Sequence, residues 1–287
     1  MKRIFLPLSG FLMDASSNIG IILIEQFCKS KSGVEQDCED LLFISDHYIA
    51  VIDGATSKSS ALFEGKTGGR IAAECIAQSL ANPLWDPRAD ARTVADAIQA
   101  SLKAYSNEKC LESVHLCASA VIFSVKKRQV WAVGDCQFIV NGKLYTFGKK
   151  VDAILSETRS LAIQMLLASG ISEEDLLKHD KAREMILPLL KMQEQLENNP
   201  SEYGYSVFSD HGEVSNVSIT DIPEGAELVL ASDGYPELKP TLEESEKALG
   251  FLLKEDPLCY KTYKSTKGIC GNQESFDDRT FIRYICP

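Results

Sequence analysis

The sequence lacks three features that would each point to a particular class of protein. None of its nine cysteines forms a CxxC pair, which excludes zinc ribbons and redox motifs and favours a reduced, cytoplasmic setting. No apolar run approaches the ~18 residues of a membrane span, so no membrane partner is expected. Basic residues are outnumbered, and the net charge of -11 argues against nucleic acid as a partner.

The chain has enough hydrophobic residues to form a large core. At 287 residues and 45% hydrophobic composition, it can form one large domain over residues 1–287. We find no internal repeat, low-complexity tract or linker that would divide it. A single domain is therefore expected, and a monomer is the default oligomeric state.

Hydrophobic periodicity indicates a mixture of strands and helices. Strands are predicted at residues 19–27, 41–44, 48–52, 118–123, 129–133, 138–140, 144–145, 205–208, 217–219, 227–231 and 279–285. Helices are predicted at residues 68–81, 90–105 and 241–253, and residues 156–196 form the most helical region. In that region Ser156 is the expected N-cap, Gly170 ends the first helix, and Ser172 precedes the second. The elements alternate without a βαβ rhythm, which favours a layered α+β fold.

Three aliphatic runs end on an aspartate, at Asp53, Asp135 and Asp233. A strand of Val, Ile, Leu and Ala is covered on both faces, so a carboxylate at its end lies at the rim of the core. An unpaired charge there is costly, and a cation is expected beside it. Together with the acidic pairs at Glu39 and Asp277, the chain supplies oxygen ligands for two or more divalent ions. This set of residues indicates metal-assisted hydrolysis.

The candidate ligands are all carboxylates, and Gly54 and Gly234 leave room for a backbone carbonyl to approach an ion. Oxygen ligands without His or Cys select Mg²⁺ or Mn²⁺. Two such ions roughly 3.5 to 4 Å apart lower the pKa of a bridging water and aim it at phosphorus. Asp-Gly is also a common turn dipeptide, so each aspartate taken singly could simply occupy a turn.

The order and context of these motifs resemble the metal-dependent type-2C serine/threonine phosphatases. The matching segments are Glu39-Asp40, Val51-Ile52-Asp53-Gly54, Ala132-Val133-Gly134-Asp135, Leu228 to Gly234 and Asp277-Asp278. The resemblance covers the chain from about residue 15 to its end. It implies a central antiparallel β-sandwich flanked on both sides by helix pairs, in four layers, with the metal site at one end.

The resemblance assigns metal-site roles to seven residues: Glu39, Asp40, Asp53, Gly54, Asp135, Asp233 and Asp277. Asp53 would bridge two Mn²⁺ or Mg²⁺ ions, with the Gly54 carbonyl on one of them. Asp233 and Asp277 would ligate the first ion, and Asp135 would serve a weaker third ion. Catalysis would run through Asp53, Asp233 and Asp277 and a metal-bridging hydroxide, and the implied substrate is a phosphorylated protein.

The chain also departs from this family at positions that matter for activity. The family's phosphate-gripping arginine is replaced by Glu35, its general-acid histidine by Ala55, and the second residue of its Asp-Asn motif by Asp278. Candidates for the lost cation are Lys29, Lys31, Lys58, Lys66 and Arg70. Glu35 and Ala55 support a second hypothesis, a catalytically weak or silent regulatory or binding module. A phosphatase of small metabolites is a third.

The four histidines are expected on the surface. His47 lies in the turn of a predicted hairpin, away from the end of the sheet where Asp53 emerges. The others, at His115, His179 and His211, have no partner spacing in the sequence. The cysteines are interpreted as small buried residues.

Overall fold

The structure is a computed structural model that describes residues 11–13, 21–56, 58 and 61–286. Its strands are β1 (Phe11–Met13), β2 (Ile22–Lys29), β3 (Leu41–Ile44), β4 (Tyr48–Gly54), β5 (Cys117–Ser124), β6 (Gln129–Val133), β7 (Gln137–Val140), β8 (Lys143–Tyr145), β9 (Phe208–Ser209), β10 (Ser218–Asp221), β11 (Glu227–Ala231) and β12 (Arg279–Ile285). Its α-helices are α1 (Gly68–Leu80), α2 (Ala91–Lys109), α3 (Lys150–Ala168), α4 (Glu173–Lys178), α5 (Lys181–Met192) and α6 (Leu242–Glu255).

The strands form two sheets that pack face to face. The first has the order β1-β3-β4-β5-β6-β10 with β9 beside β5, and the second has the order β2-β12-β11-β7-β8. Among the described strands β1 and β3 are parallel and the other pairs are antiparallel. Between the sheets, Val51 and Phe123 of the first belong to one buried cluster with Leu230 and Tyr284 of the second. The predicted α+β fold with antiparallel sheets is confirmed.

Helices cover the outer face of each sheet. On the first sheet, Ala50 and Ile52 point away from Val51 and pack against a cluster that includes side chains of α1 and α2. On the second sheet, Val229 packs in a cluster that includes Leu249 of α6. Because β4 and β11 are covered on both faces, the carboxylates at their C-terminal ends are delivered to the edge of a packed core. This is the arrangement that the aliphatic runs predict.

Several predicted elements agree with the structure, and others differ at their ends. The hairpin of β7 and β8 turns at Asn141 and Gly142, whose φ values of 47° and 81° are both left-handed, as a two-residue turn requires. Strand β2 begins at Ile22 and runs two residues past its predicted end, while residues 19 and 20 of that prediction lie outside the described residues.

In the described part of the chain, no helix is both long and apolar enough to cross a membrane.

The helical region from residue 150 differs from the prediction at two points. The N-cap predicted at Ser156 is wrong, because α3 begins at Lys150 and Ser156 is buried inside it. The second helix is split in two: Ser172 caps α4 in a capping box with Asp175, as expected, but Asp180 caps a separate helix, α5. Asp180 also forms an ion pair with the fully buried Arg159 at 2.6 Å. The break therefore coincides with this tertiary contact and with the cap itself, in which Asp180 accepts the backbone N–H of Arg183.

Candidate metal centre

A cleft at one end of the two sheets is lined by Asp53, Asp135, Asp233 and Asp277, together with Asp152 of α3. Asp53 lies at the end of β4, and Asp135 follows β6, which runs in the same direction across β5. Asp233 follows β11, and Asp277 precedes the antiparallel β12. The topology therefore brings together carboxylates from distant parts of the sequence, from residue 53 to residue 277.

These carboxylates repel one another. The pKa of Asp53 is raised well above its usual value, first by burial and then by the charges of Asp40, Asp277 and Asp135. Burial likewise raises the pKa of Asp233, and the charges of Asp53, Asp135 and Asp277 add to the effect. A bound cation would stabilise the ionised forms of these buried carboxylates and so lower their pKa values.

Glu39 and Asp40 are held beside the cleft by Asp278 and by Thr280 of β12. The backbone N–H of Glu39 donates to Asp278 Oδ2 at 2.9 Å, and Thr280 Oγ1 donates to Asp40 Oδ2 at 2.9 Å. Asp278 also accepts the backbone N–H of Lys31 at 2.8 Å, so it fixes the surrounding loops. The Glu39 Oε1 atom is buried and has no hydrogen-bond partner among the described residues.

Gly54 is required by close packing at the end of β4. A Cβ atom at this position would lie 2.5 Å from the carbonyl oxygen of Gly69 and 2.6 Å from that of Glu39. Both neighbours are backbone atoms, which cannot move aside cheaply. The start of α1 and the Glu39 segment therefore meet over Gly54, and any side chain there would separate them.

Lys31 and Lys267 lie among the carboxylates. Lys31 Nζ is 3.1 Å from Glu39 Oε2, 3.3 Å from Asp278 Oδ2 and 3.9 Å from Asp277 Oδ1. Lys267 forms an ion pair with Asp277 and donates to Thr56 Oγ1 at 3.0 Å. These ammonium groups offset part of the negative charge of the cluster.

Asp135 is the exception to the repulsion within the cluster. Lys149 Nζ lies 2.7 Å from Asp135 Oδ2, and Ser119 Oγ donates to Asp135 Oδ1 at 2.6 Å. Burial alone would raise the pKa of Asp135, but Lys149 and Ser119 hold it below its usual value. Asp135 is therefore ionised and already paired.

The remaining donors fit a pair of hard divalent ions. They are all oxygen atoms, and one buried oxygen, Glu39 Oε1, is unpartnered within the described residues. No three of the described cleft carboxylates bring one oxygen each within 4.8 Å of the others. The donor set nevertheless matches hard divalent ions by its chemistry.

Residues 29–254 of the sequence match the family described as "Protein phosphatase 2C". The chain belongs to this family. Two Mn²⁺ or Mg²⁺ ions are the cofactors of protein phosphatase 2C enzymes. The match includes the candidate ligands from Glu39 to Asp233, whereas Asp277 lies beyond it.

Solved structures of bacterial phosphatases are similar to the chain. The Mycobacterium tuberculosis phosphatase PstP/Ppp is 16% identical, with 92% of this chain and 98% of that chain covered and a TM-score of 0.48. The Staphylococcus aureus phosphatase Stp1 is 16% identical, with 96% and 99% covered and a TM-score of 0.47. The PstP catalytic domain in complex with two manganese ions is 14% identical, with 92% and 98% covered and a TM-score of 0.49. A comparison with curated proteins found no match.

Three of the five predicted replacements for the arginine of the 2C phosphatases are engaged elsewhere. Lys29 pairs with Glu274, and both Lys66 and Arg70 pair with Glu74. Arg70 also donates to the carbonyl of Cys38 at 3.2 Å, which helps to place the Glu39 segment. Lys31 lies within the carboxylate cluster, and Lys58 lines the cleft. Glu35 itself is exposed in a 3₁₀ turn.

Sequence reasoning missed the basic groups that come from distant segments. Lys149, Arg183, Lys264 and Lys267 all line the cleft. One feature of the sequence could have indicated these basic groups. Lysines recur every three residues from Lys261 to Lys267, shortly before the Asp277 motif. Nothing in the local sequence ties Lys149 or Arg183 to the carboxylates, which they approach only through the packing of α3 and α5.

Proposed function

We propose that the protein is a phosphomonoester hydrolase that removes phosphate from phosphoserine or phosphothreonine in proteins, with Mn²⁺ or Mg²⁺ as cofactor. The observation that carries the proposal is the cleft that Asp53, Asp233 and Asp277 line together with basic side chains. A phosphoryl-transfer site needs carboxylates that bind divalent ions and cations that bind the phosphate. The cleft contains both kinds of group. Membership of the protein phosphatase 2C family supports this reading.

The residues that would hold the ions are the seven assigned from the sequence: Glu39, Asp40, Asp53, Gly54, Asp135, Asp233 and Asp277. When bound, two ions would supply an activated water and screen the charge of the phosphate. The raised pKa values of Asp53 and Asp233 support their role, because a bound cation would relieve the repulsion that raises them. Asp135, which Lys149 already neutralises, suits the weaker third position.

The chain's own cations would bind and orient the phosphate. Lys267 is fixed between Asp277 and Thr56, so its charge is presented at the edge of the carboxylate cluster. Arg183 donates to the carbonyl of Thr266 at 2.6 Å, next to Lys267, and lines the same cleft. Lys58 enters from the loop after β4. We infer that these groups take the place of the arginine that Glu35 replaces.

Leaving-group protonation is the step that this cleft supports least. Ala55 lines the cleft and has no proton to donate. An alkoxide leaving group is a strong base, and a positioned general acid contributes about 10²- to 10⁴-fold to such reactions. We therefore expect slower turnover of phosphoserine than an enzyme of this kind with a histidine would reach.

The proposal is tested by phosphate release from phosphoserine and phosphothreonine peptides in millimolar Mn²⁺. The Asp53→Asn variant should lose at least 10²-fold in rate, whereas Asp96→Asn should retain it, since Asp96 is half-exposed on α2 in an ion pair with Arg92. Comparing peptides with small phosphorylated metabolites tests the substrate class. Calorimetric binding of Mn²⁺ without turnover of any phosphoester would overturn the proposal and identify a binding module.

A further inference from the structure

A second cluster of potential metal ligands lies outside the carboxylate centre. His115 Nδ1 and His211 Nδ1 each lie 2.8 Å from Asp210 Oδ1. One ligand atom from each of the three residues falls within 4.8 Å of the others, and the two imidazole centroids are 5.1 Å apart. His211 is exposed, as expected, but His115 is partly buried, and both imidazoles contact Asp210.

The pairing of β5 with β9 creates this cluster. Cys117 lies opposite Ser209 in the sheet, so the residues just before β5 and just after β9 become neighbours. Gln99 of α2 secures the second segment by donating to the carbonyl of His211 at 2.7 Å. The sequence separation of His115 and His211 hides the contact, because only a two-residue strand connects them to the sheet.

A fourth residue orients His115 from its other side. His115 Nε2 lies 2.9 and 3.0 Å from the two oxygens of Glu197, whose side chain is almost fully buried. A carboxylate that binds one nitrogen of an imidazole fixes its tautomer and directs the other nitrogen to a metal. Asp210 is similarly braced, because its Oδ2 accepts a hydrogen bond from Ser106 Oγ at 2.7 Å.

We propose that His115 Nδ1, Asp210 and His211 Nδ1 form a zinc site, with Glu197 orienting His115 and water completing the coordination. Two imidazoles and a carboxylate are a common ligand set for zinc. Nitrogen ligands also distinguish this cluster from the all-oxygen carboxylate centre, which suits Mn²⁺ or Mg²⁺. The His211 side chain is 74% exposed, so an ion can enter from solvent.

The alternative occupant of the cluster is a proton. Burial alone would lower the pKa of His115, but its hydrogen bonds with Asp210, Cys117 and Glu197 raise the pKa to about 12. Zinc must therefore displace a proton from His115, and its affinity should fall as pH is lowered. A second possible ligand group, His115 with Cys117 and Glu197, uses the same imidazole. It lies on the buried side, and burial raises the pKa of the Cys117 thiol to about 11, which disfavours a thiolate.

The experiment is a calorimetric titration of Zn²⁺ into the full chain saturated with Mn²⁺, which keeps the carboxylate centre occupied. We expect one zinc ion per chain and a zinc-dependent rise in the thermal midpoint. His211→Ala should abolish both effects without harming the fold, since that side chain is exposed. Glu197→Gln should lower zinc affinity by about 10- to 100-fold, the usual effect of losing such an orienting partner.

His179→Ala is the matched control. His179 is also exposed and also faces a carboxylate, with Nε2 3.0 Å from Glu184, but it lacks the second imidazole of the proposed site. It should leave zinc binding unchanged. Absence of zinc binding to the Mn²⁺-saturated protein would overturn the proposal. So would equal zinc binding by His211→Ala, or a Glu197→Gln variant that loses stability but keeps its zinc affinity, because either result would leave only an ion-pair cluster.

Discussion

Lys31 Nζ lies 3.1 Å from Glu39 Oε2, while Glu39 Oε1 is buried with no hydrogen-bond partner in the part of the chain that the structure describes. Burial would lower the pKa of Lys31, but the charges of Asp277, Glu39 and Asp278 raise it, so the ammonium stays charged. A buried cation from the chain itself thus balances part of the carboxylate cluster. It also leaves one oxygen of Glu39 available.

Replacing Lys31 should make the fold depend on metal. In Lys31→Met, three buried carboxylates lose a shared counter-ion, and breaking a buried ion pair costs about 3 to 5 kcal/mol. We expect the free energy of unfolding in urea to fall by this amount in EDTA. Mn²⁺ at 100 times its dissociation constant should restore about 2.7 kcal/mol by binding only the folded state.

Lys29→Met provides the control for this substitution. Lys29 pairs with Glu274, but both side chains are partly exposed, and such pairs contribute about 0 to 1 kcal/mol. Its unfolding curve should resemble that of the unmodified protein in both conditions. If Lys31→Met were equally stable in EDTA, Lys31 would not be a counter-ion of the cluster.

The stability of the metal-free protein should depend on pH through Asp53. Its pKa in the fold is raised above the ordinary value of 3.8, so the folded state binds the proton more tightly than the unfolded state does. Its stabilising contribution is complete below pH 3.8 and is lost as pH rises through the folded pKa. Asp53→Asn stays neutral, so in EDTA the variant should gain stability relative to the unmodified protein as pH rises above about 4, by about 1.4 kcal/mol per unit of pKa shift.

Asp135→Asn should show the opposite sign. Lys149 and Ser119 lower the pKa of Asp135, so its contribution is present above the ordinary value of 3.8 and is lost as pH falls through the folded pKa. The variant should be less stable than the unmodified protein at neutral pH, and the difference should shrink in acid. Urea unfolding in EDTA across this pH range measures both variants, and equal slopes for the two would contradict the assignment.

Lys267 is predicted to contribute to binding of the phosphate. Lys267→Met should lower kcat/KM for a phosphopeptide by about 30-fold, equivalent to about 2 kcal/mol for a partly desolvated charge pair, mainly through KM. Lys267→Arg should recover most of the loss because it keeps the charge. Lys178→Met, at an exposed position on α4, is the control. An unchanged KM would mean that Lys267 serves only as a counter-ion for Asp277.

The positions of Asp53 and Asp233 could be predicted because the strands that precede them have a local signature. An unbroken aliphatic run indicates a strand covered on both faces, and its last residue must then lie at the edge of the core. The order of the motifs supplied the family. These inferences need no knowledge of how distant segments pack.

The positions of the basic side chains that line the cleft could not be predicted in the same way. Lys149 reaches Asp135 because α3 begins at residue 150, six residues before the predicted cap at Ser156. A serine in a helical pattern is a plausible cap, and only tertiary contacts decide where the helix begins. His115 and His211 likewise meet through a strand of two residues, which is too short to leave a periodic pattern.

Substitution of Ala55 tests whether the lack of a general acid limits turnover. Its backbone N–H donates to the carbonyl of Cys117 at 2.9 Å, and the residue lines the cleft beside Asp53. Ala55→His would place a proton donor where related phosphatases carry one. We expect turnover of a phosphoserine peptide to rise by about 10²-fold, the lower end of the contribution of a general acid.

The leaving group separates this effect from a change in binding. Nitrophenolate departs without a proton, so turnover of p-nitrophenyl phosphate by Ala55→His should change little. The phosphoserine rate of the variant should also fall as pH rises past about 6.5, where an ordinary imidazole loses its proton. Ala55→Gln, similar in size but unable to transfer a proton in this range, should show neither effect. A parallel gain on both substrates would instead indicate that the histidine improves phosphate binding, and Ala55 would not be the reason for slow phosphoserine turnover.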